Sequence, residues 1–325
     1  MFTSFETARS LVNGLNIHYR IGGSGPALLL LHGHPQTHVI WHKVADRLAE
    51  HFTVIAADLR GYGDSDKPEV IERSEHYCKR VMAQDQLELM QLIGFSQFSI
   101  LAHDRGARVA HRLAMDHPES VERVVLLDIA PTLSMYQQTN QDFARAYWHW
   151  FFLIRPAPLP ELLIETDPEN YLRSVMGTRS AGMSPFSDEA FSEYLRCLQL
   201  PGAARGVCED YRASAGIDLE HDQADIDAGK KLTCPLLVLW GQEGTVGRCF
   251  NPLNEWKIVA EDVRGEALPS GHYIPEEVPD LLFEHVRDFF SNQNNFFKCF
   301  RHLLFNFYCM LKMSILQNIF DFEFY

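Results

Sequence analysis

The sequence holds no cluster of basic residues. Its 325 residues include 29 Lys and Arg against 43 Asp and Glu, a formal net charge of −14. This argues against nucleic acid or an anionic membrane surface as a general partner, because phosphate binding needs grouped cations. An anionic ligand must instead be captured by a local cationic site. Cysteine offers no framework either. Cys78, Cys197, Cys208, Cys234, Cys249, Cys299 and Cys309 are odd in number and scattered, with neither CxxC nor zinc-ligand spacing. No disulfide scaffold and no metal or other cofactor is expected, and a reducing cytoplasm fits this usage. The opening MFTSFETARS contains Glu6 and lacks the apolar core of a secretory signal. With 46% hydrophobic and 22% charged residues, the composition excludes disorder and suits a globular enzyme.

What is present is alternation. Apolar runs bounded by turn residues recur at 26-PALLLLHG-33, 52-FTVIAADL-59, 97-QFSILAH-103, 121-VERVVLLD-128 and 234-CPLLVLWG-241. Their lengths predict strands buried on both faces. Helix-period segments lie between or after them, at 41–52, 81–95, 106–117 and 276–290. The fold class is therefore α/β, a mostly parallel sheet flanked by helices. Asn13-Gly14 predicts a hairpin that adds antiparallel edge strands.

Between about residues 131 and 228 the strand pattern stops, and the chain is aromatic and helical, with Pro156, Pro158 and Pro160 as breakers. We read a first core part at 1–130, a helical cap at 131–228 and a second core part at 229–290. The segment 143–154 is apolar nearly all round, which predicts one helix covering a cavity. The remaining 291–325 is rich in Phe and Asn, and its longest charge-free window, Leu303 to Leu311, falls short of the about 20 residues a bilayer span needs. It reads as an appendage, or as an interfacial or oligomer-forming helix. No membrane is required, and a homodimer is possible.

The chemistry concentrates where one strand ends. In 98-FSILAHDRGARVAHR-112 the order Ala102-His103-Asp104-Arg105-Gly106 has the small-x-nucleophile-x-small form of a nucleophile elbow, with a carboxylate as the exposed side chain. Asp104 could otherwise be a helix cap. Arg105 and Arg108, spaced i and i+3 near a helix start, can grip a small carboxylate or remain solvated charges.

Three further segments, 30-LLHGHPQTHVIWHKV-44, 58-DLRGYGDSDKP-68 and 268-LPSGHYIPEE-277, resemble in content and order those of the α/β-hydrolase superfamily. The resemblance covers about residues 10 to 290. It implies an oxyanion hole from backbone N–H groups of Arg105 and of the His34 region, and a catalytic base at His272. Two positions compete for the acid. One lies near Glu243, although Gly244 stands at the register position; the other is Asp128, which ends an apolar strand and is either the orienter of His272 or a cap.

Within the superfamily, 102-AHDRGARVAHR-112, 147-YWHWFF-152 and 208-CEDYRASAGIDLEHD-222 resemble the fluoroacetate (haloacetate) dehalogenases. Position by position, the resemblance places the nucleophile on Asp104, carboxylate-binding arginines on Arg105 and Arg108, the acid on Asp128 and the base on His272. It places a halide pocket on His149, Trp150 and Tyr211. By pattern alone, Trp148, His149 and Trp150 could equally be cap core. The implied activity is hydrolysis of a small anionic haloacid to glycolate and halide. An epoxide hydrolase using cap tyrosines among Tyr147, Tyr194 and Tyr211 is the alternative, as is a non-catalytic binding protein of this fold.

Overall fold

The computed structural model describes residues 1–69, 74–179 and 181–291, so the expected appendage lies, beyond Ser291, outside the described residues. Met1–Phe283 form one compact unit. Eight strands make its sheet: β1 (Phe5–Val12), β2 (Leu15–Gly23), β3 (Ala27–Leu31), β4 (Thr53–Ala57), β5 (Phe98–His103), β6 (Val121–Leu127), β7 (Leu236–Gly241) and β8 (Val263–Leu268). Their spatial order is β1-β2-β4-β3-β5-β6-β7-β8. Neighbours from β4 to β8 run parallel, whereas β1 pairs antiparallel with β2 and β2 with β4. The predicted hairpin is present, with Asn13 and Gly14 both at positive φ, 46° and 77°. Those are the signs that a two-residue turn matched to strand twist demands.

All five predicted buried strands form, and β3, β5 and most of β6 are buried along their length. β8 was not foreseen, because its sequence VRGEAL is half exposed at the sheet edge and carries no apolar run. The segment 41–52 is not one helix: a 3₁₀ turn, His38–Trp41, is followed by a short helix, Ala45–Leu48. Trp41, Val44, Ala45 and Leu48 are nevertheless all buried, so the helical spacing was real while the hydrogen-bond ladder is broken by a turn. The late segment begins as a short helix, Ile274–Glu277, and residues 279–291 are helical.

Between β6 and β7 the described residues contain helices and no strand, from Thr132–Gln137 to Ile217–Asp227. The expected single helix over 143–154 is two, Gln141–Ala146 and Trp148–Leu153, broken at Tyr147 (φ −109°, ψ 36°). The break has a use. It leaves Trp148 37% exposed while His149 and Trp150 turn inward and are buried. No helix among the described residues is long and apolar enough to cross a membrane.

Candidate active site

β5 ends at His103, and the helix Asp104–Asp116 starts on the next residue. Asp104 sits at the join with φ 46°, a left-handed backbone that a non-glycine residue adopts only when its surroundings impose it. Close approach is what imposes it. A Cβ on Gly106 would lie 2.3 Å from the His32 carbonyl oxygen, and one on Gly33 would lie 2.5 Å from the Asp104 carboxylate. The Gly106 N–H donates to the His32 carbonyl at 2.8 Å, tying elbow to loop.

The loop after β3 delivers the expected backbone donor: the His34 N–H donates to Asp104 Oδ1 at 2.9 Å. One carboxylate oxygen is thus held, and Oδ2 is left as the candidate attacking atom. The Arg105 amide, the other expected donor, lies on the same side, 2.7 Å from where a Gly33 Cβ would stand. Burial raises the Asp104 pKa, but His272, His103, Arg105 and Arg108 together outweigh it and hold the carboxyl below its usual range. Asp104 is ionised at neutral pH.

At the ends of β6 and β8 stand the other two members. Asp128 Oδ2 lies 2.6 Å from His272 Nδ1, and Asp128 Oδ1 accepts from the Gly241 N–H at 3.0 Å. This geometry selects between the two acid positions read from the sequence. Gly244 packs against the Asp128 carboxylate, which has taken the place an acid near 243 would need, while Glu243 is exposed. Asp128, like Asp104, has a positive φ, 49°. With Nδ1 taken by Asp128, Nε2 is the ring nitrogen that leaves His272 a candidate base. His103 steadies it from below: its ring centroid is 4.6 Å from that of His272, and its Nε2 lies 2.9 Å from the His272 carbonyl oxygen. Burial and the neighbouring His272 lower the His103 pKa to about 3, so His103 is neutral and serves as a donor.

The two arginines share a helix face but not a role. Arg105, wholly buried, donates from Nε to Asp210 Oδ2 at 2.8 Å and from Nη2 to Asp210 Oδ1 at 2.9 Å. Asp210 also receives Lys79 Nζ and the Tyr62 hydroxyl. Only Arg105 Nη1 lacks a partner. Arg108 has no carboxylate in ion-pair range among the described residues. Its Nη1 donates to Thr132 Oγ1 at 2.8 Å, its guanidinium lies 4.8 Å from the Trp150 ring centroid, and its Nε is unpartnered. An uncompensated buried cation costs several kcal/mol. Burial first, then Arg105, lowers its pKa, yet a guanidinium stays charged. The site therefore holds a buried cation that no acid pairs directly among the described residues and that the Asp104 carboxylate stabilises from farther off.

Opposite the arginines is a wall of rings. Trp150 and Tyr211 are 6.2 Å apart between centroids, and His149 is 6.0 Å from Tyr211. Arg105 stacks 4.0 Å over Tyr211. The Trp150 Nε1–H and the Tyr211 hydroxyl are buried without protein hydrogen-bond partners, donors that a ligand or an ordered water can take up. Burial, reinforced by Arg179 and His34, keeps His149 neutral.

The sequence matches the alpha/beta hydrolase fold family over residues 26–248. The chain belongs to the α/β-hydrolase family. Among the relatives of this α/β hydrolase is a fluoroacetate dehalogenase from Burkholderia sp, 42% identical over 90% of this chain and 96% of that protein. Another is a soluble epoxide hydrolase from Corynebacterium sp. (strain C12), 37% identical over 90% of this chain and 99% of that one. A crystal structure from Nostoc sp PCC 7120, assigned to the α/β hydrolases, superposes with a TM-score of 0.87 at 51% identity, covering 90% of this chain and 99% of that one.

Sequence reasoning missed several residues that this hydrolase brings to the site. Asp210 fixes Arg105, and the only hint was its place in the CEDYRAS run. Tyr147, its ring centroid 6.2 Å from that of His272, was considered only as an epoxide donor. His34 was expected for its backbone alone, yet its side chain is also placed, Nε2 lying 2.9 Å from the Tyr171 hydroxyl. Burial lowers its pKa to about 3, which makes it a neutral part of the wall.

Proposed function

We propose that this α/β hydrolase removes halide from fluoroacetate and other haloacetates, giving glycolate. One observation carries the reading: a buried, unpaired guanidinium at Arg108 beside an anionic nucleophile. A carboxylate nucleophile repels an anionic substrate, and Arg108, besides helping to keep Asp104 ionised, supplies the positive charge that offsets this repulsion. Arg108 Nε and Arg105 Nη1 then hold the haloacid carboxylate, charge-assisted hydrogen bonds being the strong ones.

Asp104 Oδ2 attacks the halogen-bearing carbon, the carbon–halogen bond breaks and an ester forms on the enzyme. Halide departs toward the donors of Trp150, Tyr211 and His149. If each bond to the departing anion contributes roughly 1.5 to 3 kcal/mol, they assist fluoride most, because it is the poorest leaving group. His272 Nε2 then takes a proton from water, which attacks the ester carbonyl, and the oxyanion on Oδ1 meets the His34 and Arg105 N–H groups. Asp128 stabilises the imidazolium. Collapse releases glycolate and restores Asp104.

The orphaned Tyr211 hydroxyl and the epoxide hydrolase relative favour a second reading, opening of an epoxide whose oxygen would occupy the halide position. A neutral epoxide leaves Arg108 unpaired, which is why it ranks second. The test is fluoride release from fluoroacetate, read by an ion-selective electrode, with chloroacetate and styrene oxide in parallel. Release that disappears in Asp104→Ala supports the dehalogenase. Turnover of the epoxide alone replaces it with the second reading.

A further inference from the structure

Behind His272 lies a cavity of about 220 Å³ whose lining includes Arg179, Glu243, Thr245, Arg248 and His272 itself. Gly244, also in the lining, packs on the Asp128 carboxylate, so the cavity borders the His272–Asp128 pair. We propose that this cavity is an anion-receiving antechamber, anchored by Arg179, through which small carboxylates pass to the nucleophile. The inference rests on the anionic substrate of the reading above and adds its route.

Three observations support it. Arg179 and Arg248 have no carboxylate in ion-pair range among the described residues, although Glu243 shares the lining. Arg179 is instead surrounded by rings and a carbonyl: its guanidinium lies 4.5 Å from the Tyr147 ring centroid, Nη1 is 3.5 Å from the Ala146 carbonyl oxygen, Tyr273 is a further neighbour, and Nε is buried without a partner. Tyr147 in turn packs edge-on to His272, so the cation stands one ring away from the base. Size is the third. The cavity is below the about 300 Å³ at which pockets for drug-sized ligands begin, but it admits a hydrated two-carbon acid. A chain of net charge −14 repels such an acid at long range, and a half-buried Arg179 behind an exposed Arg248 offers a local attractive field at the cavity.

Bromide is the probe. Crystals of the full chain soaked in sodium bromide are expected to show anomalous density between Arg179 and Arg248, absent in Arg179→Gln. In parallel, kcat/KM for chloroacetate is followed against ionic strength. Arg179→Gln is expected to lower it about tenfold at low salt with a flatter salt dependence, and Arg179→Lys to restore both. A merely structural arginine would not set the salt slope. No bromide in the wild-type cavity, or a Gln variant with the wild-type salt slope, overturns the antechamber. If wild-type protein hydrolyses no haloacetate, the dehalogenase reading fails separately, and the bromide soak still decides whether this cavity takes anions.

Discussion

Arg105 and Arg108 differ in what surrounds them, and the difference sets unequal consequences for losing them. Arg105 neutralises Asp210 inside the protein. Truncating it leaves a buried carboxylate with only Lys79 as its cationic partner, so Arg105→Ala is expected to lose about 3 to 5 kcal/mol of stability. Arg108 makes no ion pair with an acid among the described residues, although its charge helps to hold Asp104 ionised. Arg108→Met, which keeps the contact with Trp150, is expected to cost less than Arg105→Ala, because relief of an unpaired buried cation offsets the lost support of Asp104, while raising KM for chloroacetate more than tenfold. Urea unfolding and steady-state kinetics on both variants check this, and an Arg108→Met protein as destabilised as Arg105→Ala would assign Arg108 to packing. In the letters the two arginines look alike. Their spacing on one helix was readable, but Asp210 is 105 residues from Arg105, and nothing local announces which guanidinium it will take.

At the scale of the element, the elbow was readable because its constraint is local: a strand must reverse into a helix within one residue, and only small neighbours permit that. Gly106→Ala tests the point. Its methyl would meet the backbone of Leu31 and His32, which cannot move aside, and a loss of about 1 to 3 kcal/mol together with reduced turnover is expected as Asp104 is displaced. Gly216→Ala is the control, since its methyl would meet nothing closer than 3.4 Å. Equal effects at the two positions, in thermal unfolding and activity, would deny the elbow its special packing. Elements without a local signature escaped. β8 is stabilised by pairing along β7 from Leu236 to Gly241 rather than by apolar content, and the helix break at Tyr147 answers to ring packing against Phe143 and Trp150.

For the whole molecule, cap and core are joined at a buried acid. Glu276, four residues after His272, accepts the Tyr194 hydroxyl of the cap at 2.6 Å, and Lys43 Nζ stands 3.3 Å away. Burial raises its pKa from 4.5 to about 7, against the opposing pull of Tyr194 and Lys43. The folded protein therefore holds this proton more tightly than the unfolded chain. Glu276 favours folding below pH 4.5, and its contribution declines as pH rises to about 7, by on the order of 3 kcal/mol in all. Urea unfolding at pH 5 and pH 8 is expected to show wild type losing more stability than Glu276→Gln over that interval. A parallel decline in both proteins would place the titration elsewhere.

Local physics made much of this protein legible in one dimension. The strand and helix periods, the hairpin at Asn13-Gly14, the elbow at Asp104 and the order of motifs up to His272 depend on residues near one another in the chain, so the α/β architecture and the nucleophile candidate followed from sequence. Tertiary structure decided the rest: Asp128 rather than a residue near 243 against His272, Asp210 on Arg105 and none on Arg108, and the unpartnered donors of Trp150 and Tyr211 facing the same site. These are outcomes of distance and burial between residues far apart in the chain, where a charge is stabilised or stranded by whichever group the fold sets within a few ångströms of it.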